Sequence, residues 1–89
     1  MIKYVMEFIG TFFFLSVILF KTEPIAIGVA LTAAIFFGAS ISGAHFNPAV
    51  SFMLGLKGGI KWEQLAYYVG AQLAGAYVAL KFYQYAQKD

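Results

Sequence analysis

The side chains able to do chemistry are few, and they gather in one stretch, SISGAHFNPAVSF, which runs from Ser40 to Phe52. It holds the only His of the chain, His45, and the run Asn47, Pro48, Ala49. Two further polar residues, Glu7 and Gln72, lie far away in sequence, each inside an apolar segment. A lone His in a chain without Cys lacks the partners a metal ion needs, so no metal site is expected. Neither a Ser/His/Asp set nor paired carboxylates occur, and no enzyme activity or cofactor is expected. What remains is hydrogen bonding. Asn47 brings amide donors, Gly43, Ala44 and His45 bring a row of backbone carbonyls, and Glu7 brings an acceptor that is costly to bury unless it is satisfied.

The elements that hold these groups belong to a membrane. Of 89 residues, 62% are hydrophobic, against six Lys, no Arg and four acidic residues. The mean hydropathy is +0.78. That balance is too apolar for a soluble domain to cover with a polar surface. The pI near 9.0 reflects scattered Lys, and no basic cluster points to nucleic acid. The absence of Cys rules out disulfides and leaves the redox compartment open.

The first apolar run, residues 4–20, is at the lower limit for a spanning helix, about 17–25 residues. Glu7 interrupts it, and FKTEP behind it lacks the small-x-small pattern of a signal-peptide cleavage site, so it is expected to be retained. Pro24 follows a polar turn at a first helical position and opens a second helix, residues 24–41. A third long segment, residues 62–83, carries aromatic residues suited to the interface. Small residues recur every four positions in the second helix (Ala26, Ala30, Ala34, Gly38) and the third (Ala66, Gly70, Ala74, beside Ala71, Gly75, Ala79). Such faces let helix backbones approach closely.

Between the second and third long segments the pattern breaks. Residues 42–46 show no cap pattern and read as extended backbone ahead of the Pro-restricted Asn47. Asn47 is a good N-cap with Pro48 at N1, and a short helix should run from there to Gly58 and Gly59. Eight to ten residues would cover roughly half of a ~30 Å hydrocarbon core, the length of a re-entrant half-helix. Backbone outside a helix is tolerated at membrane depth only against protein or water, so the loop is expected to line something wet. A half-helix starting at Asn47 would point its positive end toward the membrane centre, orienting hydroxyls and repelling cations.

The stretch SGAHFNPAV resembles the first signature of the aquaporin and glycerol-facilitator family, the major intrinsic proteins. EFIGTFFF, IAIGVALT and AQLAGA resemble other segments of that family's first half, in the same order, so that the likeness covers nearly the whole chain. The resemblance implies an all-α integral membrane fold of three transmembrane helices plus one re-entrant half-helix, the re-entrant loop and half-helix together taking residues 42–57, forming a single half-repeat over residues 1–89. It implies a multi-pass passive channel for water or small neutral solutes such as glycerol. Asn47, Pro48 and Ala49 would sit at the centre of the pore, and Gly43, Ala44 and His45 would line it. Glu7 and Gln72 would support the loop, with Glu7 accepting hydrogen bonds from its backbone.

This chain carries one such half, where family members carry two inverted halves, and Val50 stands where the second signature has an Arg. The expectation is an inverted homodimer around each pore, with higher assemblies open. Lys3, Lys57 and Lys61 fall on one side and Lys21, Lys81 and Lys88 on the other, a balance that permits both orientations. Carrying the family's filter across places it at Ile27, Ile35, Ala44 and Val50, an apolar ring assembled between copies. The competing readings are a non-conducting structural or regulatory membrane subunit, and a half-channel completed by a different chain.

Overall fold

The computed structural model describes residues 1–88 and leaves Asp89 outside the described residues. It is all-helical: α1 (Ile2–Phe20), α2 (Pro24–Ser42), α3 (Pro48–Lys57) and α4 (Trp62–Ala86). The apolar runs set the long helices, and local chemistry sets their ends. Pro24 and Pro48 occupy first positions, where a missing N–H costs nothing. Gly43 and Gly58, at φ 87° and 91°, end α2 and α3 in the left-handed region that Gly enters freely. Gly58 N–H bonds Leu54 and Gly55 carbonyls, and Gly59 N–H bonds the Leu54 carbonyl at 2.8 Å, closing the last turn of α3. At the start of α4, the Gln64 side chain accepts from the Lys61 N–H at 3.0 Å.

Hydropathy places helix ends imperfectly. α1 starts at Ile2 where residue 4 was expected, α2 includes Ser42, and α4 continues through Gln84 to Ala86. Apolar patterning marks the part of a helix that meets lipid or core, and backbone hydrogen bonding carries on beyond it.

The packing order is α2, α1, α4, α3. α1 lies against α2 on one side and α4 on the other, and α3 packs on α4. Small residues make these seams. Ala30, Ala34 and Gly38 of α2 are buried, as are Gly75 and Ala79 of α4. A Cβ at Gly75 would stand 2.8 Å from the Phe8 carbonyl oxygen and 3.1 Å from Phe12 N, so α4 crosses directly over the α1 backbone there. The stripe Ala66, Gly70, Ala74 faces outward instead. Aromatic pairs close both ends of the α1–α4 seam: Tyr4 with Tyr67 and Tyr68 at one end, Phe20 with Phe82 and Tyr83 at the other.

The distribution of polarity is inverted relative to a soluble domain. Glu7, Thr11, Ser42, His45, Ser51 and Gln72 are buried, while Ile25, Phe37 and Leu56 are exposed and Phe36 is 80% exposed. A large apolar exterior is stable only where the surroundings are apolar too. α1 and α2 are each long and apolar enough to cross a membrane.

Candidate functional site

Residues 43–47 join α2 to α3, and their backbone is not the extended strand that the sequence suggested. Gly43, Ala44 and Phe46 all have positive φ, at 87°, 53° and 50°. Asn47, directly before Pro48, is extended, at φ −162° and ψ 124°. The proline rule reaches one residue back and says nothing of the residues before it. A left-handed conformation costs an Ala or Phe about 1–2 kcal/mol, so the turn has to be held from outside.

Glu7 holds it. The carboxylate is fully buried on α1 and accepts four hydrogen bonds: from Ser42 Oγ at 2.7 Å, His45 N at 3.0 Å, Phe46 N at 2.8 Å and Gln72 Nε2 at 2.9 Å. Four donors fill the four lone-pair positions of the group. One side chain of α1 thus ties together the end of α2, the loop and α4.

A second hub lies one turn into α3. The buried Ser51 hydroxyl accepts from Gln72 Nε2 at 2.9 Å and lies 2.8 Å from His45 Nδ1. The His45 ring stacks on Tyr68, with centroids 4.2 Å apart and planes 12° from parallel. The Tyr68 hydroxyl in turn donates to the Ser42 carbonyl at 2.7 Å, tethering the last turn of α2. Phe46 is 3% exposed, and its ring lies against Gly10 and Gly38, where an added Cβ would overlap it.

Glu7, His45 and Gln72 therefore form one cluster. Asn47, Pro48 and Ala49 stand outside it, exposed at the start of α3, where Asn47 Oδ1 accepts from Ala49 N at 2.8 Å. Gly43 is exposed and Ala44 half-buried. Among the described residues, no hydrogen bond reaches the carbonyl oxygens of Gly43, Ala44 or His45. Ile27, Ala44 and Val50 are half-buried and Ile35 is 43% exposed. Ile27 and Ile35, eight residues apart on one helix, are separated by about 12 Å along its axis, so a single chain cannot bring both to one constriction. An open groove of about 630 Å³ lies elsewhere on α2, lined by Ile25, Gly28, Val29, Thr32, Phe36 and Phe37 among others.

Sequence reasoning missed Ser42, Ser51, Tyr68 and the Phe46 slot. The signal for one of them was present: Tyr68 lies four residues before Gln72, on the same face of α4. Ser51, a small hydroxyl in an apolar run, carried no comparable mark.

An all-helical chain with a polar core, an apolar exterior and a loop of free carbonyls braced from three helices defines an integral membrane protein. It belongs to the major intrinsic protein family, whose profile matches residues 1–89. Among curated relatives, aquaporin-9 of Homo sapiens is 44% identical over 57 residues, 64% of this chain and 19% of that protein. The glycerol uptake facilitator protein of Pseudomonas aeruginosa is 48% identical over 52 residues, 58% of this chain and 19% of that protein. Aquaporin-10 of Homo sapiens is 40% identical over 60 residues, 67% of this chain and 20% of that protein. The matched stretch thus spans about a fifth of the length of these relatives. No solved structure matches the chain significantly.

Proposed function

We propose that the chain is half of a passive channel for water or small neutral solutes such as glycerol. α1, α2 and α4 are the transmembrane helices, α3 is a re-entrant half-helix, and a second copy in the opposite orientation completes the pore. The observation that carries this reading is the loop: the carbonyls of Gly43, Ala44 and His45 have no partner among the described residues, beside the exposed Asn47. Unpaired backbone is tolerated at membrane depth only where it meets water or protein. Permeating hydroxyls supply the missing donors, Asn47 supplies donors in return, and the positive end of α3 disfavours cations. Relatives named as glycerol uptake facilitators support glycerol as a solute class.

The filter falls at Ile27 of one copy with Ile35, Ala44 and Val50 of the other. It is an apolar ring without a fixed cation, which rejects ions by dewetting and admits small neutral solutes. The test is swelling of vesicles containing only this chain, with water and glycerol gradients and a proton-sensitive dye inside. Flux of either solute without proton leak supports the channel. Swelling no faster than in empty vesicles removes the self-sufficient pore. Val50→Arg is expected to lower the glycerol-to-water ratio, and an unchanged ratio would show that the filter lies elsewhere.

A further inference from the structure

We propose that Phe46 is a specificity-determining peg: its ring sits in a slot between α1 and α2, and the depth of that seat sets how far the carbonyl row stands out toward the solute path. The proposal rests on the channel reading above.

Two glycines make the slot. A Cβ at Gly10 would overlap Cε1 and Cζ of the Phe46 ring and lie 2.8 Å from Cδ1. A Cβ at Gly38 would lie 2.6 Å from Cζ and 3.3 Å from Cε2. The ring therefore rests directly on the backbones of both helices. Its own backbone is in the left-handed region, at φ 50°, a conformation unfavourable for a large side chain. The residue is held there at two points, the ring by the slot and the N–H by Glu7 Oε1 at 2.8 Å.

The neighbours on either side do the work of the site. His45 and Ala44 precede the peg with their unpartnered carbonyls, and Asn47 follows it as the cap of α3. Displacing the ring displaces both. A smaller side chain lets the loop settle toward the helices and widens the path in front of it. Filling the slot does the reverse: a methyl at Gly38 falls about 0.8 Å short of the 3.4 Å at which ordinary contact begins, so the ring must move outward.

The test uses the full chain in vesicles, comparing Phe46→Leu, Gly38→Ala and the double variant. The glycerol-to-water permeability ratio is expected to rise roughly twofold or more in Phe46→Leu, to fall by a similar factor in Gly38→Ala, and to return toward the original in the double variant. A position readout independent of flux comes from Ala44→Cys, a unique thiol because the chain has no Cys. Its rate of reaction with a small thiol reagent should slow in the Phe46→Leu background and quicken in Gly38→Ala. Opposite shifts in both readouts support the peg. If permeabilities to both solutes fall in equal proportion and thiol rates stay the same, Phe46 is a packing residue only and the proposal is overturned. If the unmodified chain passes neither solute, the channel reading fails, and the thiol rates still decide whether the peg positions the loop.

Discussion

Replacing Glu7 with Gln removes a charge while keeping shape, and the hydrogen-bond network limits how well the protein can adapt. The new amide offers one acceptor oxygen and an NH₂ to four groups that all donate to Glu7 now. Two of those donors can change roles. The Ser42 hydroxyl can turn to the Gly38 carbonyl, already 3.4 Å away, and accept from the new NH₂. Gln72 can flip, since its Oε1 is buried without a partner. The backbone N–H groups of His45 and Phe46 cannot change roles. With the amide oxygen toward His45, Phe46 N–H is orphaned; with it toward Phe46, His45 N–H is orphaned. One buried backbone donor is lost in either arrangement, at about 1–3 kcal/mol, and the surviving bonds lose their charge assistance. A total of about 2–4 kcal/mol follows, a large part of the stability of a small domain. The assay is equilibrium unfolding in detergent, with amide hydrogen exchange at His45 and Phe46 to locate the loss. A cost below about 1 kcal/mol, with both amides still protected, would refute the claim that Glu7 braces the loop.

Four other outcomes are expected. Gly75→Ala, whose Cβ would meet the Phe8 carbonyl, should separate α1 from α4 and lower the melting temperature, whereas Gly70→Ala, with open space around it, should be neutral or stabilising by up to ~1 kcal/mol. Ala44→Gly should stabilise by roughly 0.5–1 kcal/mol in the same melt, because Gly accepts φ 53° without strain. Asn47→Asp should keep the cap on Ala49 N and the stability of α3, yet raise cation leak in vesicles loaded with an ion-sensitive dye; Asn47→Ala should cost about 1 kcal/mol through the lost cap. Tags on both termini should be found on both faces of the membrane, and added Lys near Thr22 should fix one orientation and abolish conduction. A single orientation with full conduction would refute the inverted pair.

The helical class was legible because apolar runs of spanning length leave little choice of structure. Glu7 and Gln72 were legible for a similar reason: a polar group inside such a run must find partners, and partners imply a neighbouring element. The turn geometry was not. Gly43 advertises a positive φ, but nothing in the letters Ala44 or Phe46 does, because those conformations are imposed by Glu7 and by the slot at Gly10 and Gly38. The two small-residue stripes of α4 were equally periodic, and only packing separates them. The buried one shares its face with Tyr68 and Gln72, whose bonds to Ser42, Glu7 and Ser51 fix the rotation of the helix.

That α3 packs on α4 alone has a consequence for biosynthesis. During synthesis α1 and α2 emerge first and can pair at once, since a short turn joins them and both halves of their seam are present. The loop and α3 emerge next, before the helix that supports them exists. Until Gln72 arrives, Glu7 lacks one of its four donors and Ser51 lacks its α4 partner. The turn can already be held by Glu7 and the slot at Gly10 and Gly38, and α3 is the element that docks last, when α4 arrives. Chains halted after Gly58 should leave residues 48–57 open to protease while the α1–α2 pair is already protected, and protection of α3 should appear together with insertion of α4.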